Sequence, residues 1–240
     1  MADDDHHHHL PEYTLYSYYR SSSTARLRIA LNLKNLSYKT VPTNLLHNEH
    51  HSDSHRALNP SATVPLLICH RPPYADFSIG QSVAALEFLE ERHPDAKPPL
   101  LPPAHDLVSR AVVRTLVGIV CADIQPVTNL RIRRRLADLG SEAVAEEWCR
   151  QLTVHGLRAF DDVARPHAGR NHCVGDAFTM ADACLLPAVW NAQRIGVDID
   201  DFPTIARIFK AMDCHPAVVR ANYLNQPDTP LEMRSKTGAD

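Results

Sequence analysis

Five prolines crowd positions 93–103 (Pro94, Pro98, Pro99, Pro102 and Pro103), and the hydrophobic pattern changes across them. Upstream, short β-favouring runs alternate with helical ones. Thr14–Tyr19 is aromatic-rich and reads as a strand. Leu27, Ala30, Leu31 and Lys34 then recur at helical spacing, with Ile29 and Leu33 widening the apolar face. Residues 37–44 alternate as a second strand, with Pro42 at an edge. Leu66–Cys69 is a third, and a turn over 70–76 joins it to Tyr74–Phe77 as a hairpin. A helix follows from Ile79, with Val83, Leu86, Phe88 and Leu89 on its core face. Downstream the strand signals vanish. Val108, Ala111, Val112, Thr115, Leu116, Ile119 and Val120 trace one long amphipathic helix. Residues 141–163 predict another, with Val144, Trp148 and Leu152 on one face. Thr179 and Asp182 are spaced as a capping box that opens an apolar helix over 181–194. Helices over 203–213 and 216–224 follow prolines that set their first turns. The expected class is therefore α/β plus all-α: an α/β domain over 11–92, a semi-rigid linker over 93–104 and a helical domain over 105–226. Tails over 1–10 and 227–240 are expected to be disordered.

Composition narrows what such a chain can do. A net charge of −3 in 240 residues supplies no electrostatic footprint for nucleic acid. No apolar run reaches the length of a membrane span, and the start, acidic and then histidine-rich (His6–His9), is no secretory signal. The six cysteines lack C-x-x-C or zinc-finger spacing, which predicts reduced, mostly buried thiols in a cytoplasmic protein and no structural metal. The histidines of residues 47–55 have no carboxylate or Cys partners at useful spacing and read as a solvated loop and short helix. The four arginines of 131–135 read as a solvated helix end.

The candidate chemistry sits where the first strand feeds the first helix. Ser21, Ser22, Ser23 and Thr24 offer hydroxyls at a helix N-terminus, where free N–H groups and the positive end of the dipole favour an anion or a thiolate. An ordinary capped turn satisfies the same pattern. Val64-Pro65 opens an apolar strand, an unusual place for proline; a cis bond there frees the Val64 backbone to pair with an extended ligand, whereas the trans proline that sequence alone favours simply starts the strand. Ser82 lies at a second helix start, fit to bind a carboxylate.

Taken together, these segments resemble a cytosolic glutathione transferase, with a thioredoxin-like first domain and an all-helical second. Residues 21–31 are similar to the Ser-Ser-Cys-x-Trp-Arg-Val-Arg-Ile-Ala-Leu signature of the zeta class, the maleylacetoacetate isomerases. Residues 38–42, 57–60, 64–65, 81–82, 86–91, 124–126, 174–176, 180–182 and 226–230 resemble the family's segments in the same order, so the likeness spans about 13–230. Two departures stand out. Ser23 and Ala25 replace the family's Cys and Trp, and the 70–76 hairpin is longer.

The resemblance implies glutathione as cofactor, with Ser21 as the catalytic serine and Ser22 and Ser23 beside it. It implies that Val64, next to Pro65, pairs with the cysteinyl backbone and that Gln81 and Ser82 hold the γ-glutamyl carboxylate. His50, Gln125 and Asn129 complete the cofactor contacts. Gln125 and Arg194 face a small dicarbonyl acid substrate, although Arg194 also suits a helix C-terminal cap. Lowering a thiol pKa of about 8.5 by about two units takes roughly 2.7 kcal/mol. One charge-assisted hydrogen bond of about 1.5–3 kcal/mol plus a dipole contribution of about 0.3–1 kcal/mol is sufficient. The implied reaction is reversible thiolate addition to a cis double bond, rotation and elimination, turning maleylacetoacetate into fumarylacetoacetate in tyrosine and phenylalanine catabolism. General glutathione transfer, α-halo-acid dehalogenation, or a non-catalytic binding role on the same fold are the competing expectations. A thiol–disulfide oxidoreductase is disfavoured because serines occupy the turn. The resemblance also implies a homodimer.

Overall fold

The computed structural model describes residues 11–234; residues 1–10 and 235–240, including His6–His9, lie outside it. β1 (Tyr13–Ser17) buries alternate residues, Tyr13, Leu15 and Ser17. It pairs in parallel with β2 (Tyr38–Pro42) and antiparallel with β3 (Leu66–Cys69). β3 carries the two-residue β4 (Ser78–Ile79), so the sheet runs β2-β1-β3-β4. The parallel pair is joined by α1 (Ser22–Leu33), the crossover that a parallel connection requires. α2 (Asp53–Leu58) and α3 (Ser82–Arg92) complete this α/β part.

α1 is buried from Thr24 to Leu31 without interruption. An amphipathic stripe would show gaps; none exist because α1 packs on α3 as well as on α7 and α9 of the helical part. Lys34, just past its end, is tied to Glu90 at 2.8 Å and to the carbonyls of His93 and Ala96. The Pro-rich stretch is thus pinned at its start. Further along, Leu100 and Leu101 are buried, and the Leu100 N–H donates to Glu90 at 2.8 Å.

The helical part comprises α4 (Leu107–Gly118), α5 (Leu130–Leu139), α6 (Glu142–Ala164), α7 (Met180–Arg194), α8 (Pro203–Met212) and α9 (Pro216–Ala221). Four expectations are corrected here. The long helix over 108–120 buries Val113, Leu116, Val117 and Val120, leaves Val108 exposed, and widens into a π-helical segment at Ile119–Ile124. In α6 the buried line runs through Ala145, Cys149, Thr153, Gly156 and Leu157, while Val144 and Trp148 are exposed. Small residues win this face because the π-helical segment comes so close that a Cβ on Gly156 would collide with Ile124. Residues 74–77 form a turn instead of a strand; Tyr74 and Phe77 pack on Phe88, and the Arg92 guanidinium lies over Tyr74. Finally, 227–234 is not a loose tail. Gln226 and Thr229 are buried, and Asp228 accepts a hydrogen bond from the Tyr19 N–H at 2.8 Å.

The Thr179–Asp182 capping box forms at the start of α7. All six cysteines are free; the Cys121 thiol donates a hydrogen bond to Cys184 Sγ at 3.8 Å, and the two form no disulfide. No helix among the described residues is long and apolar enough to cross a membrane.

Candidate active site

Ser21 is the N-cap of α1, and its Oγ is loaded from two sides by one residue. The Thr24 N–H donates to it at 3.2 Å and the Thr24 hydroxyl at 2.9 Å. With both lone-pair directions engaged, the one thing Ser21 has left to offer is its own proton. Ser23 Oγ lies 3.1 Å away and donates onward to the Val64 carbonyl at 3.2 Å. The hydroxyls therefore form a directed chain, Thr24 to Ser21 to Ser23 to Val64, in which each bond polarises the next. Ser22 is buried behind them at the first turn.

Val64 is held by its neighbours. The Thr63 carbonyl accepts from both His55 Nε2 and Asn59 Nδ2 at 2.9 Å, and the Val64–Pro65 bond is cis. Asn59 in turn packs against Gly80, where a Cβ would sit 2.7 Å from its Oδ1. Glycine is required there by this close approach. Gln81 follows as the exposed N-cap of α3, and Ser82 is its buried first residue. Beneath Ser82 lies a residue that sequence reasoning passed over: Arg26, 2% exposed, whose Nη1 donates to Ser82 Oγ at 2.9 Å. No carboxylate pairs with it among the described residues, and its buried Nε has no partner. A lone buried guanidinium is costly. Here it places positive charge under a helix N-terminus, a combination that favours a bound carboxylate. The available signal was two arginines, Arg26 and Arg28, inside the otherwise apolar run 25–31.

Arg28 is also fully buried. It donates to the Ala221 carbonyl at 3.0 Å, to Ser17 Oγ at 2.9 Å and to the Tyr19 carbonyl at 3.1 Å. Burial pulls its pKa down to about 10, so it remains charged at neutral pH. His50 is half-buried with an unpartnered Nδ1. Burial, then the neighbouring His51, His55, Arg134 and Arg56, push its pKa down to about 4. It is therefore a neutral imidazole that meets a ligand only by hydrogen bonding.

The helical part contributes less directly. Asn129 spends its Oδ1 as the N-cap of α5, accepting from the Ile132 N–H at 3.1 Å. Gln125 closes the π-helical segment through its backbone N–H to the Val120 carbonyl at 3.0 Å. No hydrogen bond among the described residues joins either to Ser21, Val64 or Ser82. Arg194, the last residue of α7, donates to Asn191 Oδ1 at 2.6 Å and sits 5.7 Å from the centre of the Tyr223 ring. Crowding by its surroundings, then the like charge of Arg20, eases its pKa down; Tyr223, Tyr19 and Tyr18 oppose this. Arg194 thus lies beside Tyr223, which itself packs on the Tyr18–Tyr19 pair that precedes Ser21. A cavity of about 350 Å³ adjoins it, lined by Trp190, Gln193, Phe209, Asp213 and Tyr223. A second, of about 490 Å³, lies against α8; neither lies on the Ser21–Ser82 edge. Among the described residues no group of His, Cys, Asp or Glu is placed to hold a metal ion.

A thioredoxin-like sheet with a cis Val-Pro turn beside a serine-capped helix, followed by a helical part, defines a glutathione transferase architecture. The glutathione S-transferase N-terminal domain family matches residues 11–91. A maleylacetoacetate isomerase of Aspergillus fumigatus is 51% identical over 224 residues, covering 93% of this chain and 96% of that one. The crystal structure of a maleylacetoacetate isomerase from Anaeromyxobacter dehalogenans with glutathione bound in its active site superposes with a TM-score of 0.81 at 39% identity, covering 91% and 98%. A zeta-class maleylpyruvate isomerase gives 0.82 at 37% identity, covering 90% and 100%. The chain belongs to the zeta-class glutathione transferase family of maleylacetoacetate isomerases.

Proposed function

We propose that this protein is a glutathione-dependent cis–trans isomerase that converts maleylacetoacetate to fumarylacetoacetate, acting as a cytoplasmic homodimer. The observation that carries the reading is the arrangement at Ser21, whose hydroxyl receives two hydrogen bonds and has a proton to give at a helix N-terminus. The residues fit glutathione: a hydroxyl donor for sulfur at Ser21, a held backbone at Val64, and Ser82 over the buried charge of Arg26 for a carboxylate. The unpartnered His50 Nδ1 and Arg26 Nε are polar atoms of the kind that a bound tripeptide leaves room for.

When bound, glutathione supplies a reversible thiolate nucleophile and is regenerated. Ser21 donates its proton to the sulfur and so favours the charged form, which must outcompete the neutral Ser23 oxygen for that proton; a charge-assisted bond is roughly twice as strong as a neutral one. Ser23 orients the Val64 carbonyl. Because its hydroxyl is spent there, the serine found where the family has cysteine serves the binding edge. Arg194, with Arg20 close by, supplies the cationic wall that a substrate bearing carboxylates requires. Gln125 and Asn129 are assigned to the same mouth by the family resemblance, as is the homodimer.

The test is isomerisation of maleylacetone with and without glutathione, for the wild type and Ser21→Ala. The expected result is glutathione-dependent turnover with no loss of glutathione, and a drop in kcat/KM of at least tenfold in the variant, about 1.4 kcal/mol of transition-state stabilisation. Turnover of dichloroacetate with no isomerisation would move the reading to a dehalogenase. Glutathione binding without either activity would make it a binding protein.

A further inference from the structure

We propose that Asp228 is a positioning residue for Ser21, acting from the C-terminal segment through the backbone of Tyr19. Residue 19 is gripped at both of its peptide groups. Its N–H donates to Asp228 Oδ2 at 2.8 Å, and its carbonyl accepts from Arg28 Nη2 at 3.1 Å. One step further, the Ser21 N–H closes a turn onto the Tyr18 carbonyl at 2.9 Å. The place from which Ser21 enters α1 is therefore set by a carboxylate on one side of the turn and a guanidinium on the other.

Neither charge has a conventional partner. The hydrogen bonds of Arg28 all go to neutral oxygens, Asp228 Oδ1 is buried with no hydrogen bond, and the two charges attract each other only through space. An unpaired carboxylate oxygen held out of water is destabilising, so the segment that carries it must be held by other means. It is. Gln226 Nε2 donates to the carbonyls of Arg220 and Asn222 at 2.8 and 2.7 Å, and Thr229 Oγ1 donates to the Tyr223 carbonyl at 2.7 Å. Arg234 clasps the same turn through the carbonyls of Thr229 and Pro227. The Tyr18 and Tyr19 rings, 4.8 Å apart, form one small apolar cluster with Val64, against which Tyr223 and Met233 pack. The segment after α9 therefore touches the serine turn by its carboxylate and the Val64 side by its apolar contacts. Asp228 orients; it has no contact with the Ser21 hydroxyl.

The proposal rests on the thiolate site at Ser21 but not on which substrate is turned over. Its test reads the ionisation of glutathione in the binary complex, by thiolate absorbance near 240 nm against pH, in wild type, Asp228→Ala, Asp228→Asn and Gln226→Ala. Asp228→Ala should raise the bound thiol pKa by at least half a unit and cut kcat/KM roughly tenfold while shifting the glutathione Kd less than threefold. Asp228→Asn keeps an acceptor for the Tyr19 N–H and should recover to within threefold. Gln226→Ala should lower Tm without moving the thiol pKa. An Asp228→Ala protein that is merely less stable, with the thiol pKa of the wild type, overturns the proposal; so does an Asp228→Asn protein as impaired as the alanine variant. If the wild type binds no glutathione, the thiolate reading fails instead. Hydrogen exchange of the peptide spanning 18–24 then decides the positioning role, with faster exchange in Asp228→Ala expected and unchanged exchange overturning it.

Discussion

Ser21, Val64 and Ser82 stand on buried supports, whereas Arg194 stands on the surface. Under the first three lie Thr24, Arg26 and Arg28 of α1, and the Thr63 carbonyl in the loop before β3, which accepts two hydrogen bonds. Arg194 is held by one neighbour on its own helix and by the ring of Tyr223, over which its guanidinium lies. The contrast suits the two tasks proposed for these residues. A ligand that is the same in every turnover is best met by groups already in place, because no ordering cost is then charged against its affinity. A substrate with a charged tail needs only a cation near the mouth, where side-chain freedom accommodates its rotation about a former double bond.

Arg26 gives the largest way to break this comparison. Arg26→Met should raise the KM for glutathione at least tenfold, since it removes the charge under Ser82. Stability should change in the other direction or hardly at all, because replacing a buried, partly unsatisfied charge by an apolar chain of similar volume is often neutral or stabilising. Steady-state kinetics and a thermal melt on the same preparation check both halves. A fall in Tm without a change in KM would mean that Arg26 serves packing.

Arg194 should behave oppositely and more mildly. Arg194→Ala is expected to raise the KM for maleylacetone about fivefold, leave the KM for glutathione within a factor of two, and leave Tm unchanged, as suits an exposed side chain with few contacts. Equal shifts in the two KM values would merge the two regions and remove the distinction.

Much of the buried side was legible in sequence because its signals are local. The serine cap and the Gln81–Ser82 helix start each occupy a few adjacent residues, and the Thr179–Asp182 box could be read from spacing alone; the cis bond at Val64–Pro65 could not, since sequence alone favours trans. What lies beneath was not. Nothing local says that Arg26 aims at Ser82, 56 positions on, or that Asp228 reaches Tyr19, 209 positions back. The face of α6 was misread for a related reason. Bulky apolar residues mark a stripe, but the buried line of α6 runs through Ala145 and Cys149 to Gly156, whose missing Cβ admits Ile124 of the π-helical segment. Periodicity finds large side chains, and close approach selects small ones.

His50 sharpens the comparison where the two parts meet, since the loop before it touches α5 through Asn48 and Arg134 at 3.4 Å. Its folded pKa is about 4, against a reference value of 6.5, so between those values the unfolded chain binds the proton more readily than the folded one. The contribution is whole above pH 6.5 and is lost as pH falls from there toward 4. After burial, the repulsion that lowers the pKa comes from His51, His55, Arg134 and Arg56. Wild type should therefore lose more Tm between pH 7 and pH 5 than His50→Gln, which cannot titrate there. The difference should be a few degrees at most, because the imidazole is only half-buried. Parallel Tm profiles for the two proteins would show that His50 is solvated and neutral only by its ordinary pKa. It would then be no part of the pre-formed side.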